Sequence, residues 1–407
     1  MLDGVQHKGR YPLVDIGLHV QPVRTVNPAS VAPENEFTYV DLSAVDQDNK
    51  IINGARKIPG AEAPSRARQV ICSGDVLVST VRPNLNGIAI VPSDLDGAIA
   101  STGFCVLRPN QNHLNQNYLF HWARSPTFIE HMVRHATGAS YPAVTDRIVR
   151  QSLIPLPPLP EQRRIAAILD EADALRAKRR AVLAQLDEMA RAIFVEMFGD
   201  PQVNEREWGT VALDDLLEDI ESGWSPTCLD RPAEGDEWGV LKLGAVTRCI
   251  FDPTQNKGLP SQLAPRPALE VKPGDLLFTR KNTHDLVAAC AYVRRTPPRL
   301  MLPDLIFRLR IKPTASVKAA FLQGLLVFPV QRAAVQKLAG GSAGSMPNIS
   351  KAKLRQLRVI LPPLHLQQEF SAALDELDDL QLSSLVAFAE TDHLFSSLQH
   401  RAFRGEL

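Results

Sequence analysis

At 407 residues, with 44% hydrophobic and 22% charged side chains, the chain has the composition of an ordinary globular protein and room for roughly two to four domains. No apolar run reaches the length of a membrane span, and Met1-Leu2-Asp3-Gly4 lacks the charged-then-apolar pattern of a secretory leader. Five widely spaced cysteines (Cys72, Cys105, Cys228, Cys249, Cys290) argue against a disulfide framework, so a cytoplasmic protein with no membrane contact is expected. The formal net charge is zero, but residues 201–364 carry 22 Lys+Arg against 16 Asp+Glu while residues 365–407 carry 2 against 8. A basic module beside an acidic helix fits a nucleic-acid reader whose helix faces a protein partner.

In chain order, Val70-Ile71-Cys72 and Val76–Val81 read as strands around a Gly74-Asp75 turn. Gly87–Val91 and Phe104–Leu107 read as two more strands, and Tyr118–Val133 has helical spacing. The loop Ala136–Ser140 follows, then a short helix and strand within Val144–Leu153. Next comes Leu156-Pro157-Pro158-Leu159-Pro160-Glu161-Gln162, whose prolines pre-set an extended backbone and then the first turn of a helix, with Glu161 favoured by the helix dipole. From there Ile165, Ile168, Ala172, Leu175, Val182, Leu186, Met189 and Ile193 recur at steps of three and four. That is a heptad stripe that predicts a long helix packed along another, closed by Gly199-Asp200-Pro201.

The same plan then returns. Thr210-Val211 reads as a strand before a short helix, and Val271–Phe278 carries a Gly274-Asp275 turn, 200 positions after the first. Leu286–Tyr292 and Leu305–Ile311 read as strands, Ala319–Leu338 as a helix, and Gly340–Ser345 as the matching loop. Leu361-Pro362-Pro363-Leu364 stands 205 positions after Leu156, and the helix it opens carries Phe370, Leu374, Leu377, Leu385, Phe388, Leu394 and Leu398. Two copies at so long a period imply tandem domains rather than a solenoid. The predicted fold is α+β (mixed α/β) with a pseudo-two-fold internal repeat: globular segments at 1–158 and 201–363, and long helices at 159–200 and 364–407. The helices are expected to pack as an antiparallel coiled coil, whose core would hold Ile165, Ile168, Leu175, Val182, Leu186, Met189, Ile193, Phe370, Leu374, Leu377, Phe388 and Leu394. A helix over residues 161–199 would be roughly 58 Å long, a rigid spacer between two readers.

Motifs for catalysis are missing. An adenine methyltransferase needs an Asn/Asp-Pro-Pro-aromatic loop for the flipped base, but here leucines flank both Pro-Pro pairs. No Walker-type loop is present. Glu270-Val271-Lys272 resembles a nuclease's metal-binding pair without an upstream acidic partner, and His131 with His135 lacks a further ligand. No metal site is expected. What remains is recognition, which draws on Arg or Lys for guanine, Asn or Gln for adenine, and hydroxyls for either. Arg82, Asn84 and Asn86 follow a strand in the first copy; Arg280, Lys281, Asn282, Thr283 and His284 follow one in the second. These, with Thr137, Ser140 and Tyr141 and with Ser342 and Ser345 on the later loops, are the candidate DNA-binding residues.

The run Leu156–Ile165, its continuation to Phe198-Gly199-Asp200-Pro201, its echo at Leu361 and the closing Ala402-Phe403-Arg404-Gly405-Glu406-Leu407 resemble the specificity subunits of type I restriction–modification systems, over the whole chain. The sequence departs from the pattern at His365-Leu366, where the first copy has Pro160-Glu161. The resemblance implies a non-catalytic, sequence-specific DNA-binding subunit with a target recognition domain in each globular copy. Such a subunit reads a bipartite asymmetric site in double-stranded DNA, holds two methyltransferase (M) subunits and can recruit restriction (R) subunits. It needs no cofactor itself: S-adenosylmethionine belongs to the M subunit, and ATP and Mg2+ to the R subunit. A self-contained DNA methyltransferase or nuclease, and a coiled-coil scaffold without a DNA role, are the alternatives.

Overall fold

A computed structural model describes residues 10–340 and 346–407. The fold is mixed α/β, and the chain divides into two compact units, Met1–Val182 with Ser384–Leu407, and Leu183–Ser383. Each unit thus takes part of each long helix.

The units share a plan. In the first, Leu13–Asp15 pairs antiparallel with Leu153–Pro155, the strand that runs into the proline pair. A four-stranded sheet orders Val20–Gln21, Phe104–Pro109, Val76–Ser79 and Ile88–Ile90; a second orders Arg56–Pro59, Glu36–Val40, Ile99–Ser101 and Ala67–Val70. In the second unit Thr210–Ala212 pairs antiparallel with Arg358–Ile360. Its main sheet orders Leu217–Ser222, Ile306–Ile311, Leu276–Thr279 and Cys290–Tyr292, beside a three-stranded sheet of Asn256–Gly258, Gly239–Leu241 and Leu300–Met301.

The repeated Gly-Asp turn has a physical reason. Gly74 (φ +86°) and Gly274 (φ +97°) take a backbone conformation that side chains disfavour. The aspartate behind each glycine is pinned by an arginine 33 residues on. The Asp75 carboxylate accepts from the Cys72 N–H (2.8 Å) and from Arg108 (2.8 and 2.7 Å). Asp275 accepts from the Lys272 N–H (2.9 Å) and from Arg308 (3.1 Å).

Two predicted helices each divide in two. Tyr118–Val133 is Gln116–Ala123 followed by Pro126–His135, and Ala319–Leu338 is Ala319–Val327 followed by Pro329–Gln336. In both, a proline that cannot continue a helix instead starts the next, and in the first the Ser125 hydroxyl accepts from the Phe128 N–H as its cap.

The long helices run Leu159–Phe198 and Leu364–Arg404, so His365-Leu366 starts its helix as Pro160-Glu161 does. Gly199 (φ +76°) and Gly405 (φ +75°) stop them. In the first unit, Ile165, Ala166 and Leu169 of one helix and Phe395, Ala402 and Phe403 of the other join a core with Tyr118, Trp122 and Phe128. Arg164 donates to the Leu407 carbonyl (3.0 Å) and Arg176 pairs with Asp392, so these segments run in opposite directions. In the second unit, Phe194 and Phe198 join Phe370, Leu374 and Leu377 in the core. There the Phe194 and Phe370 rings lie 5.6 Å apart and Gln381 donates to Asp187 (2.8 Å), again with directions opposed.

The heptad stripe is only partly interior. Ile165, Phe370, Leu374 and Leu377 are buried, and Ile168, Leu186, Ile193 and Phe388 are half-buried. Leu175 (40%), Val182 (37%), Met189 (54%) and Leu394 (50%) are exposed, a correction to their expected place in a helix-pair core. Near the helix ends a globular core covers the apolar face. Along the middle one neighbouring helix covers only part of it.

Each helix is fastened to its globular body by one buried glutamine. Gln162, wholly buried, donates to the carbonyls of Pro157 (2.8 Å) and His113 (2.9 Å) and accepts from the Asn115 N–H (2.8 Å). Gln367, equally buried, donates to the carbonyls of Pro362 (2.7 Å) and Ser316 (3.2 Å) and accepts from the Lys318 N–H (2.9 Å). Gln162→Met keeps the volume but strands one buried and two part-buried polar groups, each costing up to about 1–3 kcal/mol. We expect a loss of about 3 kcal/mol in urea unfolding; a loss below about 1 kcal/mol would mean that the bonds are dispensable.

Candidate nucleic-acid interface

In the first unit the strand Val76–Ser79 runs on into Thr80-Val81 and meets the loop 137–143. The Val144 N–H donates to the Thr80 carbonyl (2.9 Å), the Arg82 N–H donates to the Pro142 carbonyl (2.7 Å), and Thr137 and Ala143 exchange two backbone bonds (2.9 Å each). This zip holds Arg82 at φ +50° and lays its guanidinium 4.4 Å from the Tyr141 ring centre. Pro83–Leu85 makes one tight turn, and Asn86 leaves it at φ +52°. Arg82, Asn84, Thr137, Ser140 and Tyr141 are exposed. Asn86 is half-buried: its side-chain amide donates to the Arg124 carbonyl (3.4 Å), and its own carbonyl accepts from the Lys50 ammonium (2.5 Å). It serves as the loop's corner rather than as part of the exposed set.

The second unit repeats the zip. The Ile349 N–H donates to the Arg280 carbonyl (2.8 Å), Lys281 bridges Asn348, and Gly340 and Asn348 exchange two bonds (2.9 Å each). Arg280 donates to the Asn348 side chain (3.2 Å), and both Arg280 and Lys351 lie over the Phe307 ring. Thr283 and His284 are exposed and Lys281 is half-buried, while Asn282 is buried and accepts from the Thr283 N–H (2.9 Å). Ser342 and Ser345 lie outside the described residues. Among the described residues, neither Arg82, Arg280, Lys281, Lys351 nor Lys353 forms an ion pair with a carboxylate, so these cations are available to an anionic ligand such as phosphate.

Other charged groups serve the frame. Arg124 grips Asp173 of the first long helix with two bonds (2.7 and 3.0 Å), and His121 bonds Asp170 (2.7 Å). Burial lowers the His121 pKa more than Asp170 raises it, so the imidazole stays neutral. In the second unit Arg294 pairs with Asp375 (2.8 Å) and Asp378 (3.2 Å), and Arg295 with Asp379 (2.6 Å). Part of the acid on the C-terminal helix therefore faces the chain's own arginines, which corrects the expectation that it faces a partner. Glu270 accepts from the Arg299 N–H (2.7 Å) and Lys272 belongs to the Gly-Asp turn, so the nuclease-like triplet is structural. His135 bonds the His131 carbonyl (2.8 Å), and no group of three metal-binding side chains is present among the described residues.

Sequence reading missed Lys50, Asn348 and Lys351. Lys50 was signalled only by the turn-rich Asp46-Gln47-Asp48-Asn49 between two apolar pairs. Asn348 and Lys351 lie past a glycine-rich loop whose pairing partner is distant in sequence.

Comparison with known proteins places this arrangement. Residues 69–186, which include both loops of the first unit and the first proline hinge, match the type I restriction modification DNA specificity domain. The EcoEI specificity subunit of Escherichia coli is 30% identical over 46% of this chain and 32% of its own length. The EcoKI specificity subunit of Escherichia coli strain K12 is 24% identical over 75% of this chain and 68% of its own. A solved structure concerned with assembly and conformational transition of the type I R-M system is 28% identical, with 98% of both chains covered and a TM-score of 0.52. The chain is similar to type I restriction–modification specificity subunits, in sequence over much of its length and in fold. It spans about a third of the first of these curated relatives.

Exposure separates the roles within the first loop. Arg82→Ala, at the surface, should leave stability within about 0.5 kcal/mol and weaken DNA binding. Asn86→Ala replaces a residue that tolerates positive φ with one that does not and drops the side-chain bond to the Arg124 carbonyl, and should cost about 1–2 kcal/mol. Urea unfolding and DNA titration of both variants would check this; a destabilised Arg82→Ala would contradict the assignment.

Proposed function

We propose that the chain is the non-catalytic recognition subunit of a type I restriction–modification complex and reads a bipartite, asymmetric site in double-stranded DNA, one half with each globular copy. The observation that carries this reading is the repeated zip. In each unit the loop behind the Gly-Asp strand is tied to a second loop, and cations without carboxylate partners stand on it. Rigid presentation of Arg, Lys, Asn and Thr is what groove recognition requires. Residues 1–158 and 201–363 act as target recognition domains, and 159–200 and 364–407 as spacer helices forming an antiparallel coiled coil. The opposed directions of the helix segments within each unit support that pairing.

Two methyltransferase subunits dock on the helices, where Leu380, Leu382, Leu385 and Val386 are exposed on an otherwise acidic element. Restriction subunits join through them. The chain carries no cofactor of its own; S-adenosylmethionine acts in the methyltransferase, and ATP and Mg2+ in the restriction subunit. Its ligand is DNA in the cytoplasm, and no helix among the described residues is long and apolar enough to cross a membrane.

Reconstitution tests the reading. The purified chain alone should transfer no methyl group from S-adenosylmethionine to DNA, the cognate methyltransferase subunit alone little, and the mixture should methylate adenine in a sequence-dependent way. Methylation by the chain alone would make it an enzyme. A mixture that methylates no better than the methyltransferase alone, yet co-purifies with it, would make it a scaffold.

A further inference from the structure

Lys50 is an unusual residue in the first unit. It sits at φ +60° at the end of a hairpin whose strands are Val45–Asp46 and Ile51–Ile52. A β-unbranched residue other than glycine pays strain in that conformation, and such strain persists where surroundings over-determine it. The residue is half-buried and, among the described residues, its ammonium makes no ion pair; it donates to the Asn86 carbonyl (2.5 Å). Burial pushes its pKa down to about 8, with Arg124 adding to the effect. Holding a cation there is costly unless the bond it makes matters.

The hairpin itself is stiff and anchored. The Asp46 carboxylate accepts from the N–H groups of Asp48 and Asn49 (2.9 Å each) and from the Asn49 side chain (2.8 Å). Arg180 of the first long helix donates to the Asp48 carbonyl (3.0 Å). On its other side Asn86 donates to the Arg124 carbonyl (3.4 Å), and Arg124 grips Asp173. Asp173 and Arg180 are seven residues apart on one helix, two turns along the same face. The exit of the Arg82–Asn86 loop is therefore held from two sides, and both holds end on that face.

We propose that Lys50 is a positioning residue for sequence reading by the first unit: through its bond to Asn86 it fixes the Arg82–Asn84 loop to the long helix, by way of the 45–52 hairpin and Arg180. This rests on the recognition reading above. Lys50 touches no base. It sets where Arg82 and Asn84 stand, and it makes that position depend on the helix.

The test uses the reconstituted methyltransferase complex and a panel of duplexes, each with one base pair changed in one half-site. Wild-type complex should discriminate against each change by roughly 10–100-fold, and Arg82→Ala marks the half-site read by the first unit. Lys50→Met, which keeps the aliphatic stem, should lower discrimination at that half-site by on the order of tenfold and leave the other half-site as in wild type. Arg180→Ala, which leaves Lys50 in place, should lower discrimination at the same half-site, and the double variant should be no worse than Lys50→Met. If Lys50→Met fails to fold, Arg180→Ala alone decides. Unchanged discrimination in the variants, or an equal loss at both half-sites, overturns the proposal. A wild-type complex that shows no half-site discrimination would overturn the recognition reading, and this inference with it.

Discussion

A proline carbonyl can accept a hydrogen bond, but the proline nitrogen has no N–H to donate. At Pro157 and Pro362 the chain leaves regular structure with carbonyls facing inward, and one buried glutamine answers each of them. Gln162 and Gln367 also bind the chain that leads into the next helix, at Asn115 and Lys318. Three bonds from one side chain thus fix the direction in which a helix of 40 or 41 residues leaves its globular body. A helix that long magnifies any error at its root, so the placement of everything along it depends on that lock. The aromatic rings that follow, Phe194 and Phe198 in one unit and Phe395 and Phe403 in the other, add area but not direction.

The two units solve one problem with different chemistry. Both zip a strand-end loop to a second loop, and both pin the Gly-Asp turn with an arginine. In the first, Arg82 rests on an exposed tyrosine; in the second, Arg280 and Lys351 rest on a buried phenylalanine, and Lys281 and Lys353 stand nearby in sequence. The attachment to the long helices differs too. The first unit uses a neutral histidine and a bidentate arginine against Asp170 and Asp173, mostly buried; the second uses Arg294 and Arg295 against more exposed aspartates. Exposed pairs are screened by salt far more than buried ones.

Much of this was legible in the sequence because it is written twice. The offsets of about 200 residues mark the turns, hinges, long helices and loops. Gln162 and Gln367 stood in plain view in the repeated hinge, but a glutamine's role depends on which carbonyls fold against it. The broken helices were legible as well, since Ser125-Pro126 is a cap followed by a proline, yet apolar spacing ran across the break and masked it. The stripe on the long helices predicted burial that only their ends achieve, because periodicity records which face is apolar and not how much covers it. The bond between Lys50 and Asn86 was beyond reach: it joins residues 36 apart through a carbonyl that any residue could present.

A recognition subunit of the kind proposed chooses the DNA sequence on which its partner acts. N6-methyladenine mapping across the genome of cells that carry the chain with its cognate methyltransferase, against cells that lack only the chain, tests it most directly. A split motif of two short half-sites should be methylated in the first and vanish in the second. An identical methylation pattern in both, with the methyltransferase active, would contradict it.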